Sequence, residues 1–428
     1  MRRLAWSALL ACALSAGAAA ERLTLDEALA TAAADHPDRR LAESELAVAR
    51  ADRDEAASRQ NFNLYLDGAL RTGLRPSDVG PYSGEWRADN VGRIVARMPL
   101  LDFGRSGESI TAANQSIASR QAELFNVDSL RRLDIMARYF DVLLADMQYA
   151  ADNEFMAVAY VSWDDAKDRF ELGQISQPEL LKLEAAYQDI RERRNASLQR
   201  MRATRQKLAH AMHRPHALPT ELLEPVLPVN AREVPAYDAL LPWVMQRNPR
   251  LQALQAQLAA VDSRLAAIRS EGKPILEAEV IGAAYSREST TRDDVSAGIV
   301  FLIPLYQGGR VDARIARELA QKERSVAEFE KFKLELAESL LATLQEIEWL
   351  VGSGRPAADK QNEYRDWALE RARAEYELEL KTNLGTSMAE TQLAKLRRKQ
   401  VEYRLALAWA RLEALSGGSL PPGEGAQK

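Results

Sequence analysis

Helical and alternating hydrophobic patterns take turns along this chain, and the whole succession occurs twice. From Leu23 to Ser58 apolar residues recur at helical spacing (Leu25, Ala28, Leu29, Ala32), interrupted at His36-Pro37, because proline lacks a donor and restrains its predecessor. From Phe62 to Thr72 the period shortens to two. Leu64, Leu66, Gly68 and Leu70 share one parity, and Tyr65, Asp67, Ala69 and Arg71 the other, which predicts a strand with two unlike faces. Residues 74–89 carry Pro76, Gly80, Pro81 and Gly84 and read as a loop. Asn90 to Leu101 alternates again, with Ile94, Ala96 and Met98 opposite Arg93, Val95 and Arg97, so a β-hairpin is expected over 62–101. Glu108 to Leu172 then holds neither glycine nor proline. That stretch makes about 100 Å of helix at about 1.5 Å per residue. Helices of this length outrun a globular core and pack side by side.

A reversal follows at Phe170-Glu171-Leu172-Gly173. Gly173 suits a left-handed helix end, and Ser176 with Glu179 has the spacing of a capping box, with Pro178 in the new first turn. A return helix runs from Leu180 to about Met212, and prolines from Pro215 to Pro235 mark 215–237 as a linker. The order then repeats. Asp238 to Arg269 is helical with a break at Asn248-Pro249. A hairpin is expected over 274–305, with Ile275, Ile281 and Tyr285 in phase on its first strand and Val295, Ala297, Ile299, Phe301 and Ile303 on its second. A long helix from Arg310 to Asn383, a reversal at Tyr376–Thr382 and a return helix Thr386–Leu415 complete it. Gly352, Gly354 and Pro356 replace helix in mid-course, where a local break or bulge is expected. The division is a first repeat over 21–214, the linker 215–237, a second repeat over 238–416 and a disordered tail over 417–428.

Each strand-to-helix joint carries the same residues. Pro99-Leu100 and Gly104-Arg105 in the first repeat answer Pro304-Leu305 and Gly309-Arg310 in the second. These positions turn the chain and carry no chemistry.

Charge and cysteine narrow the setting. Arg2-Arg3, the apolar run Leu4–Leu14 and Ala18-Ala19-Ala20 form a secretory signal over 1–20. Cys12, the one cysteine, lies inside it, and Leu9-Leu10-Ala11 is a poor lipidation signal. Net charge is -5, with 57 basic and 62 acidic residues, and the basic residues are spread out, so no nucleic-acid partner is expected. After residue 20 no run reaches the roughly 18 apolar residues of a spanning helix. The exported chain is therefore periplasmic, secreted, or inserted in the outer membrane as β-structure.

Two strands per half cannot close a barrel, and an open edge in lipid leaves backbone groups unsatisfied, so membrane strands would require an oligomer. The strand faces read as mixed, with Tyr65, Trp86, Tyr285 and Tyr306 as candidates for interfacial aromatics. Packing of a soluble hairpin is the alternative. No nucleophile–base set or phosphate loop is present, so neither an enzyme nor a cofactor is expected. His210, His213 and His216 resemble a metal cluster, but Pro215 breaks the helix between them.

With these features in this order, the chain resembles the TolC family of outer-membrane efflux and secretion channels, over nearly all of its mature length. The resemblance implies a fold mainly α with a small β part: long antiparallel helical hairpins, plus four strands per chain contributing to a trimeric twelve-stranded outer-membrane β-barrel. It implies a homotrimer in outer-membrane lipid, a large periplasmic tunnel, and a passive exit duct served by a periplasmic adaptor and an inner-membrane pump. A soluble periplasmic hairpin scaffold is the other reading. The tip carried over from the family comprises the reversal at Phe170 and Gly173, an acidic position at Glu179, an entrance aromatic at Tyr376 and its basic partner Lys381. Where the family often has an acidic ring this chain has Gly385 and Met388, with Glu390 nearby.

Overall fold

The computed structural model describes residues 22–74, 86–286, 292–378 and 384–421. The signal segment 1–20 lies outside them, as do residues 75–85, 287–291, 379–383 and 422–428.

The chain opens with strand β1 (Arg22–Leu23) and helix α1 (Leu25–Ala30), capped by Thr24 and Glu27 in a reciprocal box. Helix α2 (Pro37–Ser58) starts on the proline that interrupted the pattern. Strands β2 (Asn63–Ala69), β3 (Thr72–Leu74), β4 (Trp86–Ala88) and β5 (Val91–Leu101) build the first hairpin. Helix α3 (Arg105–Glu171) is unbroken over 67 residues, and α4 (Gln177–Ala211) returns. After β6 (Glu221–Leu222) come α5 (Tyr237–Arg247) and α6 (Pro249–Arg269), then β7 (Ile275–Tyr285) and β8 (Val295–Leu302). Helices α7 (Arg310–Trp349), α8 (Arg355–Glu377) and α9 (Leu384–Leu415) complete the second repeat.

The expected break at 352–356 is a π-helical turn, Leu350–Gly354, between α7 and α8. Pro356 has no N–H to offer the carbonyl four residues back, at Gly352, and a wider turn shifts the bonding by one residue.

The four principal strands form one antiparallel sheet in the order β2-β5-β7-β8. The β5–β7 pairing, which joins the two hairpins, links residues far apart in the chain and has no local signature. It is long, running from Val91↔Tyr285 to Leu101↔Leu276, with its register shift between Pro99 and Leu101. Proline tolerates a bulge because no ladder donor is required there.

The chain divides into two compact units, each drawing segments from both repeats. One comprises residues up to His36, 131–233 and 346–410. Its core gathers Ala28, Ile135, Tyr139, Phe140, Leu208, Met212 and Tyr403. Phe140 and Tyr403 stack at 4.5 Å. The Tyr139 hydroxyl donates to the carbonyls of Leu23 (2.8 Å) and Leu223 (2.5 Å), beside the parallel pair β1–β6. Burial pushes its phenol up to about 12. The linker 215–237 is thus anchored: Asn230 Nδ2 donates to the Glu402 carbonyl at 2.9 Å, and Lys399 pairs with both Glu224 and Glu402.

The other unit comprises 37–130, 234–345 and 411–428, and holds the sheet. Asn248 caps α6 through Leu251 N–H (3.0 Å) and donates to the Leu415 carbonyl (3.0 Å). The disordered tail expected over 417–428 falls partly on described residues, and these are held. Trp243 Nε1 donates to the Ser419 carbonyl at 3.0 Å, so residues up to Ser419 are tied down.

Candidate functional site

The two joints share one backbone form. Phe103 and Gly104 have φ of 52° and 89°, and Gly308 and Gly309 have 62° and 74°. Two successive left-handed residues reverse the chain from strand to helix. Glycine adopts this conformation freely, whereas Phe103 bears strain. The first joint compensates with Asp102, whose carboxylate accepts from Gly104 N–H (3.1 Å) and Ser106 N–H (2.7 Å). Burial pushes the Asp102 carboxyl up, but the bonds from Ser106 and Gly104 prevail and hold it below the ordinary range. Arg105 and Arg310, matched in sequence, take different partners. Arg310 bonds Gln307 at 2.6 Å, whereas Arg105 faces Glu271 at 3.8 Å. Glu271 is buried and also receives Arg314 Nη1 at 2.7 Å on both oxygens. Its backbone carbonyl accepts from Gln307, and Ser270 Oγ donates to the Phe103 carbonyl. Residues 270–271 therefore clamp both joints, which no local pattern foretold.

The sheet register sorts the side chains. Leu64 pairs with Ala96, Ala96 with Val280 and Val280 with Ala297; the next row is Leu66, Ile94, Gly282 and Val295. Since side chains alternate along each strand, one face consists of Leu64, Leu66, Ile94, Ala96, Met98, Ala278, Val280, Val295, Ala297, Ile299, Phe301 and interspersed glycines. No charged residue stands on it. The opposite face carries Asp67, Arg93, Arg97, Glu277 and Glu279, with ion pairs Asp67–Arg93 and Arg97–Glu279 (2.5 Å). The faces are therefore segregated and not mixed as the strands read singly. On β7 the residues expected in phase do share one face. Ile275, Ile281 and Tyr285 lie on the charged face, while the apolar face uses the smaller Ala278, Val280 and Gly282. Tyr65 and Tyr285 fall on the charged face too, away from any aromatic girdle on the apolar one; Trp86 and Tyr306 are exposed.

The apolar face is open: Leu66 is 78% and Ile299 67% exposed. Strand β7 has 11 residues. At about 3.4 Å each and a tilt of about 45° it rises roughly 26 Å, the height of an outer-membrane apolar band. Among the described residues, strands β2 and β8 are each paired on one side of the sheet only.

The first helix reversal is tight. Gly173 has φ 68°, and Gly173 N–H and Gln174 N–H reach the carbonyls of Phe170 and Arg169 at 2.9 and 2.8 Å. Glu179 accepts from Ser176 N–H at 2.8 Å and Ser176 Oγ at 2.9 Å. Those bonds from the Ser176 backbone and hydroxyl hold its carboxyl below the ordinary range. In the second reversal Tyr376 is exposed in the last turn of α8, and Lys381 lies outside the described residues. Glu390 is paired with Arg365 across the α8–α9 hairpin, whose helices are further joined by Thr391 Oγ1, which donates to the Arg365 carbonyl at 3.2 Å.

Of the histidines, His213 meets His36 edge-to-face at 5.5 Å, and His210 contacts Gln206. Among the described residues no three potential ligands gather as a metal site, and no helix is long and apolar enough to cross a membrane.

Residues 240–418 match the family model described as outer membrane efflux protein. That match spans the greater part of the second repeat. Solved structures of outer-membrane proteins and channels share the fold over most of the chain. The outer membrane protein VceC of Vibrio cholerae superposes with TM-score 0.72 at 17% identity, covering 92% of this chain and 96% of that one. The Campylobacter jejuni CmeC outer membrane channel gives 0.71 at 12% identity, with 92% and 85% covered. The open state of the Neisseria gonorrhoeae MtrE outer membrane channel gives 0.69 at 16% identity, with 92% and 89% covered. No curated protein matches the chain. The resemblance carried by the joints and reversals is thus upheld.

Proposed function

We propose that three copies of this outer-membrane channel close into one barrel, as the passive exit duct of a tripartite efflux or type I secretion machine. The observation that carries this is the four-stranded sheet. It has one uncharged face of membrane-spanning height and two unpaired edges. Pairing β8 of one copy with β2 of the next satisfies both edges, and three copies give twelve strands. The apolar face then meets lipid and the face with Asp67, Arg93, Arg97 and Glu279 lines the lumen. The signal segment 1–20 supports export.

In this reading the channel performs no chemistry and holds no cofactor. An inner-membrane pump supplies the energy, and a periplasmic adaptor engages the turns between α3 and α4 and between α8 and α9. The repeats 21–214 and 238–416 each contribute one hairpin to the wall and one to the tunnel. Tyr376 and Lys381 hold the entrance closed, while Phe170, Gly173 and Glu179 shape the first turn. Glu390, already paired with Arg365, contributes little free charge to a selectivity ring.

The test is fractionation with sizing. The mature protein is expected with the outer membrane as a trimer. Recovery as a soluble periplasmic monomer would favour the scaffold reading and sink this one. Planar bilayers test the gate: Tyr376→Ala with Lys381→Ala raises single-channel conductance, and an unchanged value rejects that assignment.

A further inference from the structure

Gly385 stands in the first turn of α9, a place with no need of glycine for backbone conformation. What distinguishes it is its neighbour. A Cβ added there would lie 2.7 Å from Val158 Cγ2, on α3. Carbon–carbon contacts are comfortable at about 3.5–4.0 Å, so even alanine forces the helices apart by about 1 Å. Valine swings aside only at a cost, because its branched Cβ strongly favours one rotamer in a helix. The contact joins the two repeats: Val158 belongs to the first, Gly385 to the second. The ion pairs nearby run within single hairpins, Arg365 to Glu390 in one and Arg193 to Asp152 in the other. At the corresponding place in the first repeat, the second residue of α4 is Pro178, so the repeats differ here.

We infer that Gly385 is a positioning residue of the entrance: its missing side chain lets the α8–α9 hairpin close against Val158, and this seam holds the channel shut. The inference rests on the channel reading above. A residue serving only to start a helix would behave oppositely, since alanine is the better helix former.

The test measures conductance of the full-length channel in planar bilayers. Gly385→Ala raises single-channel conductance, and adding Val158→Ala, which removes the clashing methyl groups, returns it toward wild type. A second variant avoids dependence on how the alanine protein folds. The Cβ built at Gly385 lies 4.0 Å from Val158 Cβ, within the range of about 3.5–4.5 Å that a disulfide bridges. The mature chain has no other cysteine. Val158→Cys with Gly385→Cys therefore cross-links within one chain, lowering open-channel conductance on oxidation, with recovery in dithiothreitol. The inference is overturned if Gly385→Ala conducts as wild type, if Val158→Ala fails to reverse its effect, or if the cross-link is absent or silent. A wild-type chain that forms no channel overturns the channel reading beneath it.

Discussion

Ile299 offers the sharpest test of which sheet face meets lipid. It is the fifth of eight residues in β8, exposed on the uncharged face, and its cross-strand neighbour is the small Ala278. An arginine there has no carboxylate on its own face to pair with. At the midplane of an outer-membrane barrel an outward arginine costs about 2–4 kcal/mol. In the proposed barrel of three copies this becomes about 6–12 kcal/mol per assembly, comparable to the whole stability of a typical domain. Ser296, three positions earlier, points to the charged face opposite Ile281. Arginine at Ser296 enters a hydrated lumen and costs little. The assay is equilibrium urea unfolding from lipid vesicles, with outer-membrane yield and heat resistance of the trimer on gels as companions. Ile299→Arg is expected to lower the unfolding midpoint and the yield strongly, and Ser296→Arg to leave both near wild type. Equal damage from the two, or none from Ile299→Arg, refutes the assignment of faces.

Three further outcomes follow from the joints and caps. Glu271→Ala removes the bidentate acceptor of Arg314 and the partner of Arg105; because both arginines are partly exposed the loss is about 1–2 kcal/mol, read as a lowered midpoint of the isolated trimer. Gly309→Ala leaves open space around its Cβ but forces a left-handed alanine, at about 1 kcal/mol by the same measurement, whereas Gly309→Asn costs less. The depressed pKa of Glu179 means its cap is complete above the ordinary carboxylate value and is lost as pH falls through the lowered one. The protection factor of the Ser176 amide, its intrinsic exchange rate divided by the observed rate at the same pH, should therefore fall on acidification, while in Glu179→Gln, which keeps an acceptor, it changes less with pH.

The sequence showed what depends on neighbours in the chain. The repeats, the joints at Pro99–Arg105 and Pro304–Arg310, the capping box at Ser176 and the turn at Gly173 all rest on local backbone chemistry. The disturbance at 352–356 was placed correctly, although only the structure reveals a π turn. Features built from distant residues stayed hidden. The β5–β7 pairing joins residues almost two hundred positions apart, as in Val91 with Tyr285. Which face of β7 is uncharged is not legible in the strand alone, because Ala278 and Gly282 carry too little hydropathy to outweigh Ile275 and Ile281 on the other face. The Glu271 clamp was invisible since a glutamate near a helix end usually faces water. The first joint held a readable sign: Asp102, placed to cap α3, marks the reversal that Phe103 makes without glycine.

The β5–β7 pairing changes the kinetics of closure. In a ring of single repeats every seam would form by collision between separate molecules, at a rate set by their concentration. Joining two repeats through residues 215–237 turns half the seams into an encounter within one chain, where effective concentration is high and independent of expression. In the trimer proposed above, assembly becomes a three-body problem instead of a six-body one. Mispairing is then confined to the β8–β2 junction, the one seam whose partner has to be found in the membrane.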